Sequence, residues 1–189
     1  ELRGLGVGVR RIEVIPDEHG RWGRSEALVS SGRKHEEGSC LDGLRHGEWT
    51  EWYRSGARRS TGRYLHGMRH GVWRSWAEDG RPLGETYILY GTGSWTDWRP
   101  DGHPAATGFL VGDARYGRWK FWRSDGSRGV DDYWNDRRHG RLRWSYPDGR
   151  KQAEGTFRHG APEGTHTTWW PDGRIRERCE YRAGEKIGA

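Results

Sequence analysis

Tryptophans recur in pairs along an otherwise polar chain. Gly47 is followed by Trp49 and Trp52, and the arrangement returns in later copies as Trp73/Trp76, Trp95/Trp98 and Trp119/Trp122, then weakens to Leu142/Trp144 and Trp169/Trp170. The first glycines of the copies stand at positions 47, 71, 93, 117, 140 and 164, and a second set stands at 56, 80, 102, 126, 149 and 173. A fixed period of 22–24 residues is typical of repeat architectures.

The residues between the two glycines predict a β-strand. Side chains of a strand alternate between faces, so Trp49 and Trp52 are expected on opposite sides of a sheet. In the third copy "YGTGSW" replaces "HGMRHGVW", and a deletion of an even number of residues preserves that alternation. No segment shows a 3.6-residue apolar period with helix caps. We therefore expect almost no helix.

The second glycine of each copy predicts a tight turn. "PDG" occurs at 100–102, 147–149 and 171–173, with "EDG", "SDG" and "RSG" in the other copies. Asp bonds back to its own backbone in such turns, and Gly supplies the positive φ that a hairpin needs. Each copy thus predicts one β-hairpin. The expected fold is all-β: an elongated single-layer antiparallel β-hairpin repeat array, in the form of a ribbon or solenoid.

The expected domain organisation is a cap followed by repeats. Residues 1–36 contain the alternating Val7, Val9, Ile12 and Val14 and a degenerate repeat, and solenoids need such terminal caps. Residues 37–189 hold the six repeats and a truncated seventh copy at the end.

The recurring pattern "hGxWxxWyxxGxxxxxGxYxxGxrhG", over about residues 32–189, resembles the MORN-repeat variant of bacterial proteins in the YwqK-like antitoxin family. The resemblance implies a non-enzymatic hairpin ribbon. It also implies the roles credited to MORN arrays, which are scaffolding, self-association and binding of acidic lipids. Choline-binding cell-wall repeats are an alternative, but they need a 20-residue period and adjacent aromatics in most copies, and only Trp52-Tyr53 and Trp169-Trp170 are adjacent here.

Composition favours a thin fold. Only 31% of the residues are hydrophobic, against about 45–50% in typical domains. The 13 Trp and 31 Gly nevertheless argue against disorder, because disordered chains are poor in aromatics. The net charge of +6 permits an acidic partner without requiring one. The abundance of Arg reflects either genomic composition or the ability of Arg to stack on rings and to fork onto anions.

The strand face that carries the second tryptophans is polar and basic, and Trp and Arg dominate binding hot spots. The candidate partner-binding residues on this face are Trp52, Arg74, Trp76, Trp98, Arg118, Lys120, Trp122, Arg141, Arg143 and Trp169. The first tryptophans are expected to pack along the ribbon. Two alternatives remain open: a bulge turns both rings onto one face, or the second ring merely shields the sheet.

A non-enzymatic scaffold that binds a partner protein, in an antitoxin, immunity or assembly role, is the leading hypothesis. Peripheral binding to anionic phospholipid membranes is the alternative, motivated by the basic run from Arg115 to Arg143, where each cation is worth about 1 kcal/mol. Cell-wall (choline-type) or nucleic-acid binding ranks third, since interspersed acids argue against a phosphate-tracking groove. Self-association through sheet edges is a further option.

No catalytic or metal motif is found, so we expect neither enzymatic activity nor a cofactor. The recurring His46, His70 and His139 stand a repeat apart and are interpreted as turn residues rather than metal ligands. Cys40 and Cys179 lie near opposite ends of the expected ribbon, too far apart for a disulfide.

No apolar run reaches the ~18 residues of a membrane span, and no signal-peptide core is visible. The expected location is cytoplasmic. Secretion or surface exposure stays open if a signal peptide was removed ahead of Glu1.

Overall fold

The protein is all-β in the computed structural model, which describes residues 9–16, 22–29 and 34–188. The strands are β1 (Val9–Pro16), β2 (Trp22–Val29), β3 (Lys34–Leu41), β4 (Leu44–Trp52), β5 (Arg58–Leu65), β6 (Met68–Trp76), β7 (Pro82–Ile88), β8 (Gly93–Trp98), β9 (Pro104–Val111), β10 (Ala114–Trp122), β11 (Arg128–Trp134), β12 (Arg137–Ser145), β13 (Lys151–Arg158), β14 (Ala161–Trp169), β15 (Ile175–Arg182) and β16 (Glu185–Gly188). No helix occurs in these ranges, so none of their residues forms a helix that could cross a membrane.

Each repeat copy supplies two consecutive strands, and all the strand pairs within a sheet are antiparallel. Copy one forms β4 and β5, and the pattern continues to copy six, which forms β14 and β15. The prediction of a β-hairpin repeat array is confirmed. Val7 of the predicted N-terminal alternation lies outside the described residues, and the predicted cap over residues 1–36 stays a prediction.

The strands form two sheets, a division that the repeat pattern did not predict. The first sheet contains β1 to β7 and the second contains β8 to β16, both in chain order. The ladder is interrupted between β7 and β8, in the copy with the shortened connection, where only Leu89 and Thr92 form an isolated bridge. The chain divides into two compact units near this point, one reaching to Gly93 and including Trp98–His103, the other comprising Ser94–Asp97 and the residues from Pro104 onward.

The six predicted turns share one geometry. In the first, the Gly56 amide donates to the Tyr53 carbonyl at 3.0 Å, and the Tyr53 amide donates to the Ala57 carbonyl at 2.8 Å. The second glycines have φ between 83° and 92°, as the turn chemistry requires. In five copies an Asp carboxylate accepts a hydrogen bond from the amide two residues on, as predicted; these are Asp79, Asp101, Asp125, Asp148 and Asp172.

Three of the four first tryptophans are buried by packing against glycines, whereas Trp95 is only partly buried. Trp49, Trp73 and Trp119 are only 3%, 2% and 1% exposed. Each ring lies against a glycine of the preceding strand (Gly38, Gly62 and Gly108, respectively), where a Cβ would overlap with the ring atoms. Each of these rings is therefore buried against the backbone of the neighbouring strand in its own sheet.

Hydrogen bonds fix these rings on their glycines. The Trp49 indole donates to the Ser39 carbonyl at 3.0 Å, and the Trp119 indole donates to the Phe109 carbonyl at 3.2 Å. In the sixth copy His166 replaces Trp, lies against Gly155, and forms a 2.7 Å hydrogen bond with the equivalent carbonyl of Thr156. The histidine thus reproduces the packing and the hydrogen bond of the indole.

Arginines lie over the buried aromatic rings and shield them from solvent. The Arg45 guanidinium lies 4.4 Å from the centre of the Trp49 ring and also pairs with Glu36 at 2.7 and 2.8 Å. Arg115 lies 4.4 Å from the Tyr133 ring centre and pairs with Asp136 at 2.9 Å. Part of the Arg content thus has a structural role, because an Arg stem and its planar head shield apolar surface.

Candidate functional site

Strand β10 separates its two tryptophans onto opposite faces. Its pairing with β11 runs without a shift from Gly117 to Trp122, so its side chains alternate regularly there. Trp119 lies on the core face. Arg118, Lys120 and Trp122 therefore share the other, outer face.

An open groove lies on this outer face of the second sheet, across β10, β11 and β12. We call it the outer groove; its lining side chains are Arg118, Lys120, Trp122, Arg128, Val130, Asp132, Arg141, Arg143 and Ser145. The part beside Trp122 has a volume of about 310 Å³, and the part beside Arg118 and Arg141 has about 230 Å³. Both parts share Lys120, Val130 and Arg143, which are direct cross-strand neighbours.

The outer groove carries unbalanced positive charge. Asp132 is its one lining carboxylate, lying 3.6 Å from Arg118 and accepting a hydrogen bond from the Arg141 amide at 3.1 Å. Within the described part of the chain, the side chains of Lys120, Arg141 and Arg143 form no ion pair. Five cationic side chains thus face a single carboxylate, which favours an anionic ligand.

The corresponding face of the first sheet is closer to neutral. Arg74 there donates to Glu85 at 2.7 Å, and Glu48 and Thr50 occupy the positions that Arg118 and Lys120 hold in the fourth copy. The basic character of the groove therefore comes from substitutions in copies four and five.

Cations of the preceding strand cover three of the other second tryptophans. Lys34 lies 5.5 Å from the Trp52 ring centre, Arg58 lies 5.4 Å from Trp76, and Lys151 lies 5.4 Å from Trp169. Among the residues that the structure describes, no cation lies over Trp122. Trp122 is half-buried, and its ring thus lines the open space of the groove with no cation over it.

A serine opens that space. Five copies have Trp at the fifth position after the first glycine, whereas copy five has Ser145. Trp122, Arg128 and Ser145 are direct neighbours across the three strands. The missing indole leaves a cleft between Trp122 and Ser145, because a serine side chain fills little of the volume.

The structure brings together five of the ten predicted site residues. Arg118, Lys120, Trp122, Arg141 and Arg143 line the outer groove. Trp52, Arg74, Trp76, Trp98 and Trp169 lie on other strands and do not line it.

Sequence reasoning missed Arg128, Val130, Asp132 and Ser145. Three of these residues lie on β11, between the two strands that carry the predicted residues. The signal that was available for Ser145 is the loss of the repeat tryptophan at that position.

The histidines form ring pairs at the hairpin ends. His46 and His66 have ring centres 5.1 Å apart, and His139 and His159 have centres 4.7 Å apart. The described ranges contain no group of three or more His, Cys, Asp or Glu residues that could hold a metal ion. Cys40 lies on β3 and Cys179 on β15, both as buried thiols.

Comparison with known proteins identifies no family. No protein-family model matches the chain, and no curated protein matches it. The resemblance to the MORN-repeat variant therefore stays a prediction that rests on the repeat pattern.

Proposed function

We propose that the chain is a non-enzymatic binding protein that docks an acidic partner protein in the outer groove. The observation that carries the proposal is the set of cations without ion pairs, Lys120, Arg141 and Arg143, beside the Trp122 ring. The resemblance to MORN arrays supports a scaffold, assembly or antitoxin-like role for this docking.

The groove combines the two kinds of side chain that dominate interfaces. Aromatic and Arg anchors in desolvated pockets are worth about 2 kcal/mol or more each. Cations on one face also steer an acidic partner and raise its association rate, an effect that salt weakens. Binding through this groove is therefore expected to depend on salt.

The test is capture of a partner from native lysate with matched variants. Lys120→Gln/Arg143→Gln removes two groove cations, while Arg150→Gln/Arg174→Gln removes two exposed turn cations and so changes the net charge equally. We expect a stoichiometric protein to be captured by the wild type and the turn variant but not by the groove variant. Capture of no such protein, or equal capture by all three, contradicts the proposal.

Anionic membranes are the second candidate, because the same face also carries exposed apolar side chains. Phe109 and Trp134 are 46% and 58% exposed, and by strand alternation both lie on the face of Lys120. The same variants in a liposome flotation assay separate the candidates. Flotation that is indifferent to phosphatidylserine content removes the membrane alternative.

A further inference from the structure

The side chains of the outer groove stand in rows that cross the strands. Trp122, Arg128 and Ser145 form one row, and Lys120, Val130 and Arg143 form the next. Because the rows are two residues apart along each strand, they are separated by about 6.6–6.8 Å. One row offers a cleft and the other offers two cations.

An extended peptide repeats its side chains with the same spacing. Residues i and i+2 of an extended chain lie on one face, about 6.6–6.8 Å apart. A segment lying along β11 therefore matches the rows of the groove residue by residue. The match in spacing favours an extended polypeptide over a ligand whose repeating groups are spaced at a different distance.

We propose that the outer groove binds an extended segment of its partner in which an aromatic residue stands two positions from an Asp or Glu. The aromatic ring enters the cleft between Trp122 and Ser145, and the carboxylate lies between Lys120 and Arg143. This inference rests on the proposed function, because it states which segment of an acidic partner the groove recognises.

The cleft suits a planar ring. It belongs to the part of the groove that has a volume of about 310 Å³ and also reaches the row of Lys120, Val130 and Arg143. The Trp122 ring forms one wall of this part, and no described cation covers that ring. Arg128 belongs to the same row and is exposed. A ring seated there is within reach of the Trp122 ring and of Arg128, which stands between Trp122 and Ser145 in the row, and ring–ring and ring–guanidinium contacts are both attractive.

The second row suits one carboxylate. Lys120 and Arg143 flank Val130, a small apolar side chain that leaves the space between the two cations open. The row beyond it contains Arg118, Asp132 and Arg141, where the carboxylate already offsets part of the charge. The groove is therefore expected to select for Asp or Glu most strongly at the position of the bound segment that is two residues from its aromatic residue.

Three synthetic peptides test the spacing directly. The first is fluorescein-labelled Thr-Ser-Thr-Trp-Thr-Glu-Thr-Ser-Thr; the second moves Glu next to Trp, which places the two on opposite faces; the third replaces Glu with Gln. In fluorescence polarisation with the full chain, we expect the first peptide to bind at least tenfold more tightly than either control. Equal binding of the first two peptides overturns the inference.

Protein variants test the location. Ser145→Trp restores the ring that five copies hold at this position, so it is expected to fill the cleft, abolish binding of the first peptide and leave the melting temperature unchanged. Ser145→Leu is a smaller filling that keeps the test valid if the indole disturbs the sheet. Lys120→Gln/Arg143→Gln is expected to weaken binding at least tenfold, and Arg150→Gln/Arg174→Gln to leave it unchanged. Undiminished binding by both Ser145 variants overturns the inference.

Failure of the inference is distinguishable from failure of the proposed function. If the lysate partner is lost with Lys120→Gln/Arg143→Gln but the peptides show no spacing preference, the docking proposal stands and the recognition rule is wrong. If neither partner nor peptide binds, both fail. An oligothymidylate or a phosphatidylserine vesicle is also tested as a competitor of the first peptide. If either one binds more tightly than the peptide, and its binding is lost in the Ser145 variants, the groove has a different occupant and the inference is overturned.

Discussion

A glycine beneath each core tryptophan is the residue-scale feature on which the fold depends most. A Cβ at Gly62 would overlap with the Trp73 ring. A Cβ at Gly38 would likewise overlap with the Trp49 ring, and one at Gly108 with the Trp119 ring. A side chain at these positions would lift the ring from the backbone. The Gly-x-Tyr part of the repeat is thus explained by packing rather than by turn geometry.

Gly62→Ala is expected to destabilise the first sheet by about 1–3 kcal/mol, the usual cost of overpacking a core. Gly188→Ala is the matched control, because the nearest atom to its added Cβ is 3.8 Å away. Its expected effect is within about 0.5 kcal/mol. Denaturant unfolding of both variants measures the difference, and equal midpoints would show that Trp73 does not require a glycine.

At the scale of an element, the hairpin of β11 and β12 contains one buried carboxyl group, that of Asp131. It is 1% exposed, accepts from the Trp144 indole at 3.0 Å and from Arg138 at 3.1 Å. Burial raises the pKa of Asp131, and Arg138 and the Trp144 hydrogen bond oppose that rise. The folded state therefore binds the Asp131 proton more readily than the unfolded state does.

The sign of the pH dependence follows from that raised pKa. The contribution of Asp131 to stability is fully present below the unfolded pKa of about 3.9 and is lost as the pH rises through the folded pKa. Asp131→Asn removes this titration, so the free energy of unfolding of the variant minus that of the wild type should increase as the pH rises above about 4. Unfolding free energies measured across this range test it, and a difference that falls with pH would contradict the direction.

Hairpins were predictable from the sequence because their determinants are local. In each turn the Gly directly follows an Asp, or Ser55 in the first copy, and period-two alternation is visible between the glycines. The break between the two sheets was not predictable. Whether β7 pairs with β8 depends on contacts between strands of different copies, which the repeat pattern does not specify. The burial of Trp49, Trp73 and Trp119 agrees with the predicted packing of the first tryptophans, but the glycines beneath these rings lie on another strand and were not predicted.

At the scale of the whole molecule, each of the two sheets has a structural face and an outer face, and the charge of the outer face differs between the sheets. The sequence placed cations and tryptophans on the outer face but spread them over all copies. In the structure, the cations without ion pairs on this face lie in copies four and five. Another predicted site residue, Arg74, forms an ion pair with Glu85 instead. Linear order could not show this, because the acids near Arg115–Arg143 in sequence, such as Asp131 and Asp136, pair away from the groove.

Unfolding of Trp119→Ser and Trp122→Ser, two changes three residues apart on β10, tests the two-face account most directly. Trp119 is buried against Gly108, whereas Trp122 is half-buried and lines the open groove, so the first change is expected to cost about 3–5 kcal/mol and the second about 1–2 kcal/mol. Denaturant titrations of both variants beside the wild type supply the comparison. If Trp122→Ser unfolds as early as Trp119→Ser, both rings are core and the outer groove is not a free binding surface.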